Sequence, residues 1–193
     1  MKKALTEIRI KSYESLELAQ ENARLTKLLM LRQITPPHIR RSVSARVIAR
    51  SPSAWNKAFL IDQGSLQGLR ANMLVLAESS LVGKVIVTGP SVSTVLLITD
   101  PNSKIGVLIQ RTRQQGILFG TSSGGCRMKY ISLEPEVKLG DMVETVGFRG
   151  LIPKGLVVGT VTRVWKEPGQ IYQVAQIKPL TDLDRLEEVV CVE

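Results

Sequence analysis

The distribution of apolar positions divides the chain into two kinds of sequence. From Lys3 to about Gln33 there is no Gly or Pro, and Ala, Leu, Glu, Lys, Arg and Gln dominate. These residues lose least on entering a helix, so the pattern predicts one helix over 1–33. Heptad positions a fall on Met1, Ile8, Ser15, Asn22 and Leu29, and d on Ala4, Lys11, Leu18, Leu25 and Arg32. Six of these ten seam positions are apolar, which is a modest coiled-coil signature. Asn at an a position favours two strands in fixed register, because its amide pairs with the same residue of a parallel partner. Leu18, Asn22, Leu25 and Leu29 are therefore the expected self-association residues of a homodimer. The competing reading is a single amphipathic helix. Pro36 and Pro37 end the helical stretch, since each lacks an N–H and disfavours helix in the residue before it. Residues 34–44 then read as a linker.

From Ala45 onward the period changes to short β-branched and aliphatic runs separated by turn residues. The expected strands are 45–50, 55–61, 73–77, 81–87, 94–98, 104–110, 116–119, 127–133, 142–145, 157–165, 171–178 and 188–192. Turn signals such as Asp62-Gln63-Gly64, Pro101-Asn102, Gly124-Gly125 and Pro168-Gly169 lie between them. A dozen strands in about 150 residues is too many for one small barrel and suits two that hide their edges by closing. The expected fold is mainly β: a long N-terminal coiled-coil helix followed by two small packed β-barrels. The barrels are expected at approximately 45–103 and 104–193, with interleaving of strands allowed.

Composition narrows the chemistry. The chain has 193 residues with two Cys, one His and eight aromatic residues, which removes most of the side chains that metal centres and imidazole catalysis use. The formal charge is +9, but its distribution matters more. Residues 1–50 carry 11 basic and 4 acidic side chains, whereas 51–193 carry 15 and 13, so the strand region is close to neutral. That balance, with few rings for base stacking, argues against a single-stranded nucleic-acid-binding module. No apolar run approaches the roughly 18 residues of a membrane span, and there is no signal peptide.

Several motifs superficially resemble catalytic ones. Thr121-Ser122-Ser123-Gly124-Gly125-Cys126 has a protease-like Ser-Gly-Gly, yet the single His, His38, sits in the linker without a carboxylate to orient it. No Ser-His-Asp triad follows, and a hairpin turn does. The same glycines lack the Lys-Ser/Thr of a phosphate loop, because Cys126-Arg127 stands there. Cys126 and Cys191 lack metal-ligand spacing, and two buried thiols or one disulfide are both open. Glu187-Glu188 and Asp182 with Asp184 read as a solvated acidic stretch. No enzyme activity, cofactor or metal is expected.

The densest feature is the glycine punctuation of 140–161, with five Gly and one Pro in 22 residues. It describes two strands and an extended loop whose backbones approach closely. Phe148, Arg149, Leu151 and Ile152 in that loop are the expected partner-docking residues, since such side chains are costly to leave exposed. A tight barrel corner is the equal alternative.

Several blocks in order carry a family resemblance: Glu21–Leu29, Ala45–Arg50 with Trp55, Ile61–Gly64 with Gly68, Leu81–Val85, Val95–Asp100, Gly116–Gly120 and Gly140–Val161. Together they resemble the rod shape-determining protein MreC family. The resemblance implies a non-enzymatic scaffold of the bacterial elongation machinery that self-associates as a dimer and into filaments. It also implies binding to the elongation-specific penicillin-binding transpeptidase, with MreD, MreB and RodA in the same assembly and no nucleic acid. Location at the periplasmic or extracytoplasmic face of the inner membrane is implied too, through a transmembrane anchor upstream that these residues do not contain. The alternative from another class is a periplasmic adaptor of an export pump, which would need a second long helix.

Overall fold

The structure is a computed structural model, and it describes residues 41–51, 57–147 and 153–193. The chain divides into two compact units, Met1–Ile34 and Thr35–Glu193. The expected helix 1–33 lies outside the described residues. The described residues all lie in the second unit, and among them no helix is long and apolar enough to cross a membrane.

Twelve strands lie among the described residues of this unit, each overlapping a stretch the alternation predicted. They are β1 (Ser42–Arg50), β2 (Ala58–Ile61), β3 (Leu74–Ala77), β4 (Ser80–Thr88), β5 (Ser93–Leu97) and β6 (Lys104–Ile109), then β7 (Gln115–Gly120), β8 (Cys126–Ile131), β9 (Met142–Thr145), β10 (Val157–Lys166), β11 (Gln173–Pro179) and β12 (Glu188–Val192). β1 begins inside the stretch expected as linker, because Ser42, Val43 and Ser44 pair with Val192, Cys191 and Val190.

Hydrogen bonding closes two rings. The first runs β1-β2-β5-β4-β3-β12 and returns to β1, and the second runs β6-β7-β8-β11-β10-β9 and returns to β6. Among the described strands, closure gives each a hydrogen-bonded neighbour on both sides. The rings are joined in the sheet by one parallel pairing, Val157 with Ser80. The last strand thus returns to the first ring, bringing residues 188–192 beside residues 42–46.

Alternation explains most of the packing. In β6, Ile105 and Val107 are buried while Lys104 and Gly106 face water. β3 is buried at all four positions and β12 at four of five, as expected for strands covered on both faces. Phe59, Ile61, Leu74, Leu81, Leu118, Met128 and Ile177 are among the largest fully buried side chains.

The crossover from the first ring to the second, residues 98–103, is fixed from several sides. Asp100 is fully buried, and its carboxylate accepts from the Lys57 amide at 2.8 Å and the Asn102 amide at 2.7 Å. The Cys126 thiol lies 3.4 Å from the Ile98 carbonyl. Gly120 touches this crossover so closely that a Cβ there would sit 2.1 Å from the Asp100 carbonyl oxygen.

Candidate binding surfaces

The sequence motifs that resemble catalytic ones take structural roles among the described residues. Thr121–Gly125 forms the turn between β7 and β8: the Thr121 amide donates to the Gly125 carbonyl, and the Gly125 amide donates to the Thr121 hydroxyl, each at 3.0 Å. Gly124 supplies the left-handed φ of 89° that the turn needs. Both cysteines are free and buried, one in each ring, and burial pushes each thiol up to about 12. Neither is a thiolate at neutral pH, so neither is an activated nucleophile. Asp182 accepts from the Asp184 amide and lies 3.6 Å from Arg185. The Asp182 carboxylate therefore caps the short turn Leu183–Arg185. Among the described residues no group of His, Cys, Asp and Glu could hold a metal ion.

The second ring carries a distinctive outer face. Of the five aromatic residues in described segments, four lie on it: Phe119, Tyr130, Trp165 and Tyr172. Phe119 and Tyr130 meet edge-on with centroids 6.3 Å apart, and Tyr130 and Tyr172 lie 4.9 Å apart. Lys104 sits 5.9 Å from the Phe119 ring, and both Arg127 and Arg163 lie 5.7 Å from the Trp165 ring. Tyr130 is 52% exposed, and Ile171, next to Tyr172, is 87% exposed.

Strand pairing explains how this cluster forms. Phe119 is opposite Arg127 across β7–β8, and Ile117 opposite Lys129. The β10–β11 pairing then brings Arg163 opposite Gln176, itself the partner of Arg127 across β8. The strands β6, β7, β8, β10 and β11 carry six Lys or Arg and no Asp or Glu. Partial burial raises the Tyr172 hydroxyl above its ordinary range, with Tyr130 and Glu167 adding to the effect, so Tyr172 stays un-ionised at neutral pH. Summed charge over 51–193 conceals this face, because acids elsewhere cancel it.

The acids of the second ring are engaged at one end. Arg111 donates to both oxygens of Asp141 at 2.8 Å and to the Glu136 carbonyl at 2.9 Å. The Lys138 amide also donates to Asp141, at 2.9 Å. The Arg111 hydrogen bonds hold the Asp141 carboxyl below its usual range, helped by the Lys138 amide and opposed by burial. Arg113 pairs with the buried Glu144 at 2.7 Å. These two pairs tie the β6–β7 turn to β9. No local motif announces them, since the partners are about thirty residues apart.

Phe148, Arg149, Leu151 and Ile152 lie outside the described residues, as do Leu18, Asn22, Leu25, Leu29 and His38. The base of the 146–155 loop is described, however. The Thr145 hydroxyl donates to the Pro153 carbonyl at 2.6 Å and accepts from the Leu156 amide at 3.0 Å. Gly147 has φ of 82°, and a Cβ there would meet the Lys154 Cβ at 2.8 Å. The glycine punctuation thus marks a close crossing of two backbones at this base.

A cleft of about 760 Å³ opens between residues of the two rings. Arg50, Lys57 and Lys178 line it together with Asp182 and Asp184. Arg50 is committed to structure, donating to the Leu183 and Leu186 carbonyls at 2.9 and 2.6 Å. The cleft is mixed in charge, unlike the outer face of the second ring.

Comparison with known proteins places this architecture. The family model described as the rod shape-determining protein MreC barrel core matches residues 47–193. The cell shape-determining protein MreC of Listeria monocytogenes is 31% identical over 202 residues, covering the whole of this chain and 66% of that protein. The chain thus spans just under two thirds of that relative. A solved structure of the major periplasmic domain of the cell shape-determining filament MreC superposes with a TM-score of 0.70 at 25% identity, covering 79% of this chain and 96% of that one. The fold also matches a complex of penicillin-binding protein PBP2 and MreC from Helicobacter pylori, with a TM-score of 0.62 at 16% identity over 79% of this chain and 99% of that one.

Proposed function

The chain belongs to the rod shape-determining MreC family, and from that premise we propose that it is a non-enzymatic scaffold of the bacterial cell-elongation complex. It holds a penicillin-binding transpeptidase in place during lateral peptidoglycan synthesis and so sets cell shape. The observation that carries this reading is the family match over 47–193, the stretch that supplies nearly all of both rings. Support for the partner comes from the Helicobacter pylori relative, which is found in complex with PBP2.

In this reading the helix 1–33 dimerises through Leu18, Asn22, Leu25 and Leu29, and the dimer extends into filaments. The loop residues Phe148, Arg149, Leu151 and Ile152 dock the transpeptidase from the pinned base described above. MreD, MreB and RodA belong to the same assembly. The rings lie on the periplasmic or extracytoplasmic side of the inner membrane, held by an anchor upstream. The periplasmic location is supported by the solved periplasmic domain that the chain resembles. The test is binding of the purified chain to the elongation-specific transpeptidase of the same organism, measured by biolayer interferometry. A saturable one-to-one complex is expected, and absence of binding by two folded proteins refutes the reading.

A further inference from the structure

The outer face of the second ring has no role in the scheme above, and its chemistry is specific. We propose that this flank docks on an anionic lipid surface, with Tyr130, Tyr172 and Trp165 at the depth of the headgroups and Lys104, Arg127 and Arg163 among the phosphates.

Three observations point to a bilayer. First, the rings are amphipathic: Tyr and Trp join an apolar plane to a polar tip and concentrate at membrane–water boundaries. Tyr130, Tyr172 and Trp165 are all partly exposed here. Second, charge on the strands of this face is one-signed, Glu167 in the β10–β11 turn being the acid near Tyr172. Five neighbouring strands supply six cations and no acid, and Lys104, Arg127 and Arg163 all face water. Their charged ends lie 5.7–5.9 Å from aromatic ring centres, and exposure leaves those ends open to phosphate oxygens as well. Third, Ile171 projects beside this face at 87% exposure, the highest among the described large apolar side chains. It sits in the β10–β11 turn beside Tyr172, where a side chain can enter the boundary without moving the sheet.

Shape separates a membrane from a soluble polymer. The face is the outside of a closed ring of strands, which meets a broad plane more readily than it cradles a strand. The large cleft lies between the rings, and none of the four clustered aromatic residues lines it. A flank held to lipid would also fix how the rings are presented, a role independent of the transpeptidase contact.

Co-sedimentation with phosphatidylcholine vesicles, with and without phosphatidylglycerol, tests the proposal. The chain should sediment with the anionic vesicles, fail to do so with phosphatidylcholine alone, and be released by high salt. Lys104→Gln, Arg127→Gln and Arg163→Gln together should weaken binding roughly a hundredfold, at about fivefold per charge. The same number of neutralisations at Lys2, Lys3 and Arg9, within the basic first part of the chain, should weaken it much less. Equal losses in the two triple variants would show binding by net charge and overturn the proposal. Ile171→Ser, at a position with almost no packing to lose, should weaken binding several-fold with unchanged melting, and full retention would count against it. In a Trp55→Phe background, Trp165 emission should shift to the blue with anionic vesicles only. An equal shift with single-stranded DNA or polyglutamate would assign the face to a soluble polyanion and overturn the membrane assignment.

Discussion

Replacing Gly120 by Ala is the most demanding test of how the two rings are joined. The added Cβ would lie 2.1 Å from the Asp100 oxygen, 2.3 Å from the Thr99 carbonyl carbon and 2.4 Å from the Asp100 carbonyl carbon, where ordinary contact begins at 3.4 Å. The backbones must therefore part by more than an ångström. The crossover has little room to do so. The Asp100 carbonyl accepts from the Ser103 amide at 2.9 Å, its amide donates to the Leu97 carbonyl at 3.1 Å, and its carboxylate accepts from Lys57 and Asn102. Overpacking of this kind costs about 1–3 kcal/mol, and each hydrogen bond broken in the adjustment adds about 1 kcal/mol. Reduced freedom of the unfolded chain returns about 0.4–1 kcal/mol. The expected net loss is about 3 kcal/mol, a large share of the roughly 5–15 kcal/mol that holds a domain folded. Gly106 on β6 is the control, since nothing lies within 4 Å of a Cβ built there; Gly106→Ala should leave stability unchanged or raise it by about 0.5 kcal/mol. Guanidinium unfolding followed by circular dichroism gives both values. A Gly120→Ala midpoint at or above the wild type, or equal shifts in the two variants, would refute the reasoning.

Asp141→Asn should lower the melting temperature by a few degrees at neutral pH. The carboxyl is depressed in the folded state, so its contribution is complete above the unfolded value of about 3.9 and is lost as pH falls through the lower folded value. The gap between wild type and variant should close on acidification, and a gap that stays constant to strongly acid pH contradicts the assignment. Asn22→Leu should raise the melting temperature of the helical segment yet broaden the oligomer distribution in sedimentation velocity, and unchanged behaviour in both assays argues against a register-setting Asn. Phe148→Ser and Ile152→Ser, provided they fold, should each weaken transpeptidase binding at least tenfold, as expected for large apolar anchors; wild-type affinity in both dismisses the loop.

Much of the strand framework is legible in the sequence because burial in a sheet imposes a two-residue period, and segments such as 58–61 and 93–97 keep it. Ring membership is less legible. β12 pairs with β1 and β3 through contacts spanning most of the chain, and nothing within Glu188–Val192 indicates which ring those residues complete. The hairpin turn at Gly124-Gly125 could be anticipated from turn chemistry. Arg111 with Asp141, and Gly120 against Asp100, are products of tertiary approach with no local signature. The cationic aromatic face is the most instructive omission. Its residues come from β6, β7, β8, β10 and the β10–β11 turn, so a count along the chain dilutes them, and they are gathered by strand register for Phe119, Arg127, Arg163 and Trp165 and by ring contacts for Tyr130 and Tyr172.

The proposed role is to hold a partner in place without transforming it. Isothermal titration of this chain into the elongation-specific penicillin-binding transpeptidase of the same organism, with the stoichiometry confirmed by light scattering, measures that role. A defined saturable complex is the predicted result. Flat titration heats, with light scattering that shows only the two separate folded proteins, would contradict it.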